Sequence, residues 1–166
     1  KGSTFWFWIN YKKSQQERLA VEPVSVKEVI EPNKLRILLA EDNPINQKVA
    51  QMHLEKLGHS VECANNGKIA FEMYTKSDYD LIFMDIQMPE MDGIEATKII
   101  RSKLNIKTPI IALTANAFKT EIEKCRKAGM DDYVTKPFDE TILLETIAKL
   151  LHRKDEKEII LKSNNM

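Results

Sequence analysis

The sequence predicts an α/β protein, a five-stranded parallel sheet with helices on both faces. From Leu35 onward, apolar runs of strand length alternate with segments whose apolar residues recur at helical spacing. The runs at 36–40, 81–85 and 109–113 are near-continuously apolar, as strands covered on both faces must be. Those at 60–64 and 133–135 are weaker or shorter, which places them at the edges and favours the order 2-1-3-4-5.

Each element has a local reason. After the first strand, Asn43-Pro44 supplies a side-chain cap and a proline suited to the first turn of a helix. Ile45, Val49 and Met52 then recur at helical spacing until Gly58 stops the helix. Residues 60–64 show the alternating look of an edge strand, and a helix follows from about Gly67 to Thr75. The third strand, 81–85, is fully apolar until its terminal Asp. Ile94, Ile99 and Ile100 lie on a third helix that ends near Leu104. Beyond the strand at 109–113, Phe118, Ile122 and Cys125 mark the inner face of a fourth helix, which Gly129 terminates. Tyr133-Val134-Thr135 is a short fifth strand, and Asp139 caps a last helix running through Leu150. Five βα units in this order make a flavodoxin-like fold.

The 166 residues suffice for one domain with flanks. The βα pattern occupies 34–152; 12–33 is polar, carries Pro23 and Pro32 and reads as a linker; 153–166 is a charged tail. Lys+Arg and Asp+Glu are balanced at 25 each, so no charge bias draws the chain to nucleic acid or an anionic membrane. The aromatic run Phe5-Trp6-Phe7-Trp8-Ile9 falls far short of the ~20 residues that a spanning helix needs. No small-residue cleavage site follows it, so it does not read as a signal peptide. Cys63 and Cys125 have neither metal-ligand spacing nor the number for a disulfide framework, which suggests reduced thiols in the cytoplasm.

The chemistry lies at the strand ends. Glu41-Asp42 closes the first strand, Asp85 the third, Thr114-Ala115 the fourth, and Lys136-Pro137 follows the fifth. In open α/β sheets this edge is where ligands bind. Mg²⁺ prefers hard oxygen ligands and takes one or two carboxylates, which Glu41, Asp42 and Asp85 can supply together with the Gln87 backbone carbonyl. Without a cation, three crowded carboxylates would raise at least one pKa. With one, Asp85 stays ionised and can attack phosphorus. Lys136 and the Thr114 hydroxyl then answer the charge on the transferring group, and the small Ala115 leaves it room. Singly, each residue has a plainer explanation: a helix cap, an acid favourable to a helix dipole, a satisfied hydroxyl, a solvated lysine. Their coincidence at one sheet edge is what argues for a site.

These motifs resemble the receiver domain of two-component response regulators. The resemblance rests on Leu38-Leu39-Ala40-Glu41-Asp42-Asn43-Pro44-Ile45-Asn46, Met84-Asp85-Ile86-Gln87-Met88-Pro89, Met91-Asp92-Gly93, Leu113-Thr114-Ala115 and Tyr133-Val134-Thr135-Lys136-Pro137-Phe138, and it extends from 35 to about 151. It implies that Asp85 is the phosphoacceptor, Asp42 a direct metal ligand and Glu41 an outer-sphere acid. Thr114 and Tyr133 would form a switch pair, and Lys136 would contact the phosphate before a proline bond that is often cis in this family. Gln87 and Asn116 fall at positions that vary in the family and tune phosphate lifetime. Such a domain promotes its own phosphorylation and slow dephosphorylation, and it exchanges the group with a histidine on a kinase dimerisation domain or a histidine phosphotransfer protein. That histidine must reach Asp85 in line, so the expected docking face is the start of helix one, at Asn46, Val49, Ala50 and His53. The segment Gly2-Ser3-Thr4-Phe5-Trp6-Phe7-Trp8-Ile9 resembles the last glycine box and closing strand of a histidine-kinase ATP-binding domain. Gly2-Ser3 alone fits a cloning scar equally well, but the aromatic strand fits the kinase, with 1–11 as its remnant in a hybrid sensor kinase. No helix-turn-helix is legible after the βα pattern, which argues against direct transcriptional control.

Two other classes compete. A Mg²⁺-dependent phosphatase with an aspartyl nucleophile wants a second Asp two residues after the first, where this chain has Gln87. A flavin-binding module wants a Ser/Thr/Gly loop after strand one, where Glu41-Asp42-Asn43-Pro44 would repel a phosphate.

Overall fold

A computed structural model describes residues 34–104, 107–137 and 139–150. The chain separates into two units, Lys1–Glu31 and Pro32–Met166, and every described residue belongs to the second. The expectations for the aromatic segment 1–11, the linker 12–33 and the tail 153–166 therefore lie outside the described residues.

Five strands, β1 Arg36–Ala40, β2 Ser60–Ala64, β3 Leu81–Asp85, β4 Ile110–Thr114 and β5 Asp132–Thr135, alternate with helices α1 Pro44–Lys56, α2 Gly67–Lys76, α3 Gly93–Leu104 and α4 Lys119–Ala128. Residues 140–150 form a further helix, α5. All strand pairs are parallel, in the order β2-β1-β3-β4-β5. The predicted fold class is the observed one.

Strand alternation divides the core in two. Ile37, Leu39, Phe83, Ile111 and Leu113 face one side, where α1 covers them with Ala50 and Leu54 and α5 with Leu143 and Ile147. Leu38, Ala40, Ile82, Met84, Ile110 and Ala112 face the other, against Ala70 of α2, Ala96 and Ile100 of α3, and Cys125 of α4. Burying one such Leu or Ile side chain is worth roughly 1.5–3 kcal/mol, so the central strands anchor the fold. The caps act as expected. Asn43 Oδ1 accepts from the backbone N–H groups of Ile45 and Asn46, Gly58 leaves α1 at φ 91°, and Asp139 Oδ1 accepts from Ile142 N.

Three expectations need correction. On α1, Ile45, Val49 and Met52 are 73%, 41% and 58% exposed, while Ala50 at 1% and Leu54 turn the helix toward the sheet. A period of three to four residues marks an apolar stripe without saying what covers it. Ala50 is for the same reason no part of a docking face. Phe118 is 67% exposed because it is the residue before α4 begins, so the inner face is carried by Cys125 and Ala128, with Ile122 half-buried. Strand β2 does not alternate in burial: residues 60–63 are all half-buried and only Ala64 is buried.

Gly93 shows why the loop after β3 needs its glycine. A Cβ there would lie 2.0 Å from the Asp85 carbonyl oxygen, a separation no side chain tolerates. Its N–H donates to the Ile86 carbonyl at 3.0 Å, folding the loop back onto the strand end that carries Asp85.

Candidate functional site

The parallel register brings the C-terminal ends of β1, β3 and β4 into line. Ala40 pairs with Met84, Asp85 with Leu113, and Thr114 with Thr135. The residue following each end opens into a cavity of about 430 Å³ lined by Glu41, Asp42, Asp85, Thr114, Ala115 and Lys136, among others. All the expected side chains of the strand ends are thus gathered. Gln87 also lines this cavity, whereas Tyr133 is half-exposed on β5.

Lys136 is the hinge of the electrostatics. Its Nζ donates to Asp85 Oδ2 at 2.5 Å and stands 2.5 Å from Glu41 Oε2. Its backbone is fixed too, because Lys136 N donates to the Thr114 carbonyl at 2.7 Å. The Lys136–Pro137 peptide that follows is cis. Burial by itself would lower the Lys136 pKa, but the two carboxylates outweigh it and the ammonium is held above its usual range. Asp85 goes the other way. Burial pushes its carboxyl up, the Glu41 charge adds to the rise, and the Lys136 and Gln87 N–H bonds only partly offset it. Burial is thus the main cause at Asp85, and of the two neighbouring acids only Glu41 adds to it.

Glu41 is 1% exposed. Its Oε1 accepts from the Asn46 side-chain amide at 3.0 Å and more weakly from Asn43 N at 3.4 Å. Its Oε2 meets Lys136 at ion-pair distance but makes no hydrogen bond, although it is wholly buried. A buried carboxylate oxygen without a hydrogen bond is costly unless a cation shares it. One ligand oxygen each from Glu41, Asp42 and Asp85 lie within 4.8 Å of one another, and Asp42 is solvent-exposed. An all-oxygen, partly open donor set suits a hard divalent cation that keeps several waters.

Two residues of the site escaped the sequence reading. Asn46 was expected at the rim, not as the partner that orients Glu41. Glu121 was not singled out at all, yet it lines the cavity and accepts the Thr114 hydroxyl at 2.7 Å. Its one legible signal was an acid in the first turn of α4, which on its own only favours the helix dipole.

Carboxylates, one hydroxyl and one ammonium at the C-terminal edge of a doubly wound sheet make, as a class, an α/β domain with an oxygen-rich ligand site. The family follows from comparison: the model of the response regulator receiver domain matches residues 37–148, and the chain belongs to that family. Among relatives, hybrid signal transduction histidine kinase K of Dictyostelium discoideum is 35% identical over 99% of this chain and 14% of its own length. Among solved structures, the receiver domain of a Pseudomonas aeruginosa PAO1 sensor histidine kinase, described with magnesium coordinated in its active site cleft, is 41% identical with a TM-score of 0.65, covering 70% of this chain and 96% of that one. The receiver domain of Ssk1 from Saccharomyces cerevisiae, co-crystallised with the histidine phosphotransfer protein Ypd1, is 36% identical with a TM-score of 0.65 over 69% of this chain and 86% of that chain. The chain spans only 12 to 20% of the length of the curated relatives it matches. It is a receiver module of two-component phosphorelays. Among the described residues, no helix is long and apolar enough to cross a membrane.

Proposed function

We propose that Asp85 is the phosphoacceptor and that Glu41, Asp42, Asp85 and the Gln87 carbonyl hold Mg²⁺ beside it. The observation that carries this reading is Asp85 at the end of the central strand, with Lys136 on one oxygen and two further acids within ligand distance. When bound, Mg²⁺ supplies positive charge that keeps the carboxylates ionised and neutralises the phosphoryl oxygens. An Asp85 oxygen attacks phosphorus in line, the new O–P bond forming as the P–N bond to the donor histidine breaks. Lys136 turns from its carboxylate partners toward the phosphoryl oxygens, and the Thr114 hydroxyl donates to another. Tyr133 is the second member of the switch pair.

The donor or acceptor is a histidine on a kinase dimerisation domain or a phosphotransfer protein, docked over the exposed α1 stripe of Ile45, Val49 and Met52. The co-crystallised yeast relative supports a partner of that type. The parent is a hybrid sensor histidine kinase, a reading the relatives support, and the chain works on the cytoplasmic side. Incubation of the chain with acetyl phosphate and Mg²⁺ should add one phosphoryl mass. Asp85→Asn or a chelator should abolish the gain. Full labelling of the Asn variant would refute the assignment.

A further inference from the structure

The Thr114 hydroxyl is fully committed. Its single proton is offered to Glu121 Oε2 at 2.7 Å and, at 2.9 Å, to the Asn116 carbonyl, and its oxygen accepts from Asn116 N at 3.1 Å. Thr114 itself is buried, and Glu121 is half-buried on the first turn of α4. A hydroxyl has one proton, so Thr114 cannot donate to a phosphoryl oxygen while it donates to Glu121. Bonds to a carboxylate are among the stronger ones, so of the two acceptors Glu121 holds the proton more firmly. Glu121 also lines the same cavity as Asp85, so an arriving phosphoryl group meets its charge.

We propose that Glu121 is a positioning residue that latches the Thr114 hydroxyl in the unphosphorylated state, so that release of this bond sets the threshold of the switch. The idea rests on the site reading above, with Asp85 as acceptor and Thr114 as responder. Breaking the latch frees the first turn of α4 at the same moment as it frees the hydroxyl. Phosphorylation is thereby coupled to α4 through one side chain, and not through general loosening of the helix. The null alternative is a first-turn acid that serves only the helix dipole.

The test is titration of the full 166-residue chain with magnesium beryllofluoride, a phosphoryl mimic, followed by amide NMR. Glu121→Ala should tighten mimic binding about tenfold, the worth of a hydrogen bond to a charged group. Glu121→Gln, which keeps an acceptor, should tighten it less. In both variants the free-state amide signals of Thr114, Asn116 and the first turn of α4 should move toward the mimic-bound positions of the parent. The decisive comparison is in a Thr114→Ala background, where Glu121→Ala should gain clearly less than in the parent, only what relief of its negative charge supplies. An equal gain there would show that removal of negative charge, not the latch, is responsible, and would overturn the proposal. Unchanged affinity in Glu121→Ala would overturn it as well. If the parent chain fails to bind the mimic, the site reading falls and takes the latch with it.

Discussion

At the scale of single residues, the buried Asp85 carboxylate works against stability. Its carboxyl is pushed above the usual range by burial and by Glu41, in spite of Lys136. A carboxyl whose folded pKa is raised favours the native state when protonated, and that advantage is lost as pH rises from the unfolded value of about 3.8 through the folded one. At neutral pH the ionised Asp85 is therefore a burden on the metal-free protein. Asp85→Asn should raise stability in chelator by on the order of 1 kcal/mol, the ordinary size of a point effect, although it removes one partner of Lys136. The gain should shrink when Mg²⁺ is added, because the parent alone recovers binding energy at the crowded carboxylates. Urea unfolding of both proteins with and without Mg²⁺ checks this. A less stable Asn variant in chelator would mean that the Lys136 pair, not carboxylate crowding, dominates the site.

Elements differ in how much of them can be read in advance. Strands β1, β3 and β4 were legible because two-sided burial confines polar residues to their ends, at Arg36, Asp85 and Thr114, and the last two belong to the site. Helix α1 was legible as a helix but not in its orientation. Ile45, Val49 and Met52 form as regular a stripe as any core face, yet the small Ala50 and Leu54 are what contact the sheet. Phe118 misled for a related reason, since an aromatic at helical spacing looks internal until the cap position is known. Glu121 was invisible because its partner lies seven residues back on a different element, across a turn whose shape periodicity does not encode. The α1 stripe yields a paired test. Val49→Lys should slow phosphoryl transfer from a histidine phosphotransfer protein at least several-fold while acetyl-phosphate labelling persists, since docking would bury an unpaired charge where an apolar contact stood. Ala50→Lys should instead impair both, because it drives a charge into the sheet-facing side of α1. Undiminished transfer in the Val49 variant would place the docking surface elsewhere.

For the molecule as a whole, the ends of the sheet make opposite demands on pH. The C-terminal edge holds the crowded carboxylates, while at the other edge His59 precedes β2 with 5% exposure. Its Nδ1 accepts from Leu35 N at 3.5 Å, at the entry to β1, so the ring must be neutral there. Burial lowers the His59 pKa below its ordinary 6.5. As pH falls, the unfolded chain takes up this proton first, and stability contributed by the neutral ring is lost from about 6.5 down through the folded value. Asp85 works in the other direction over acid pH, since protonation relieves it. A decline between pH 7.5 and 5.5 in chelator therefore cannot come from Asp85. Thermal unfolding across that range should show the parent losing stability, and His59→Asn, which keeps an acceptor but cannot take the proton, losing less. The variant should be close to flat at pH values where the other carboxylates are still ionised in both states. Equal losses in the two proteins would assign the acid sensitivity to a group other than His59 and leave the β1 entry without a pH-dependent contact.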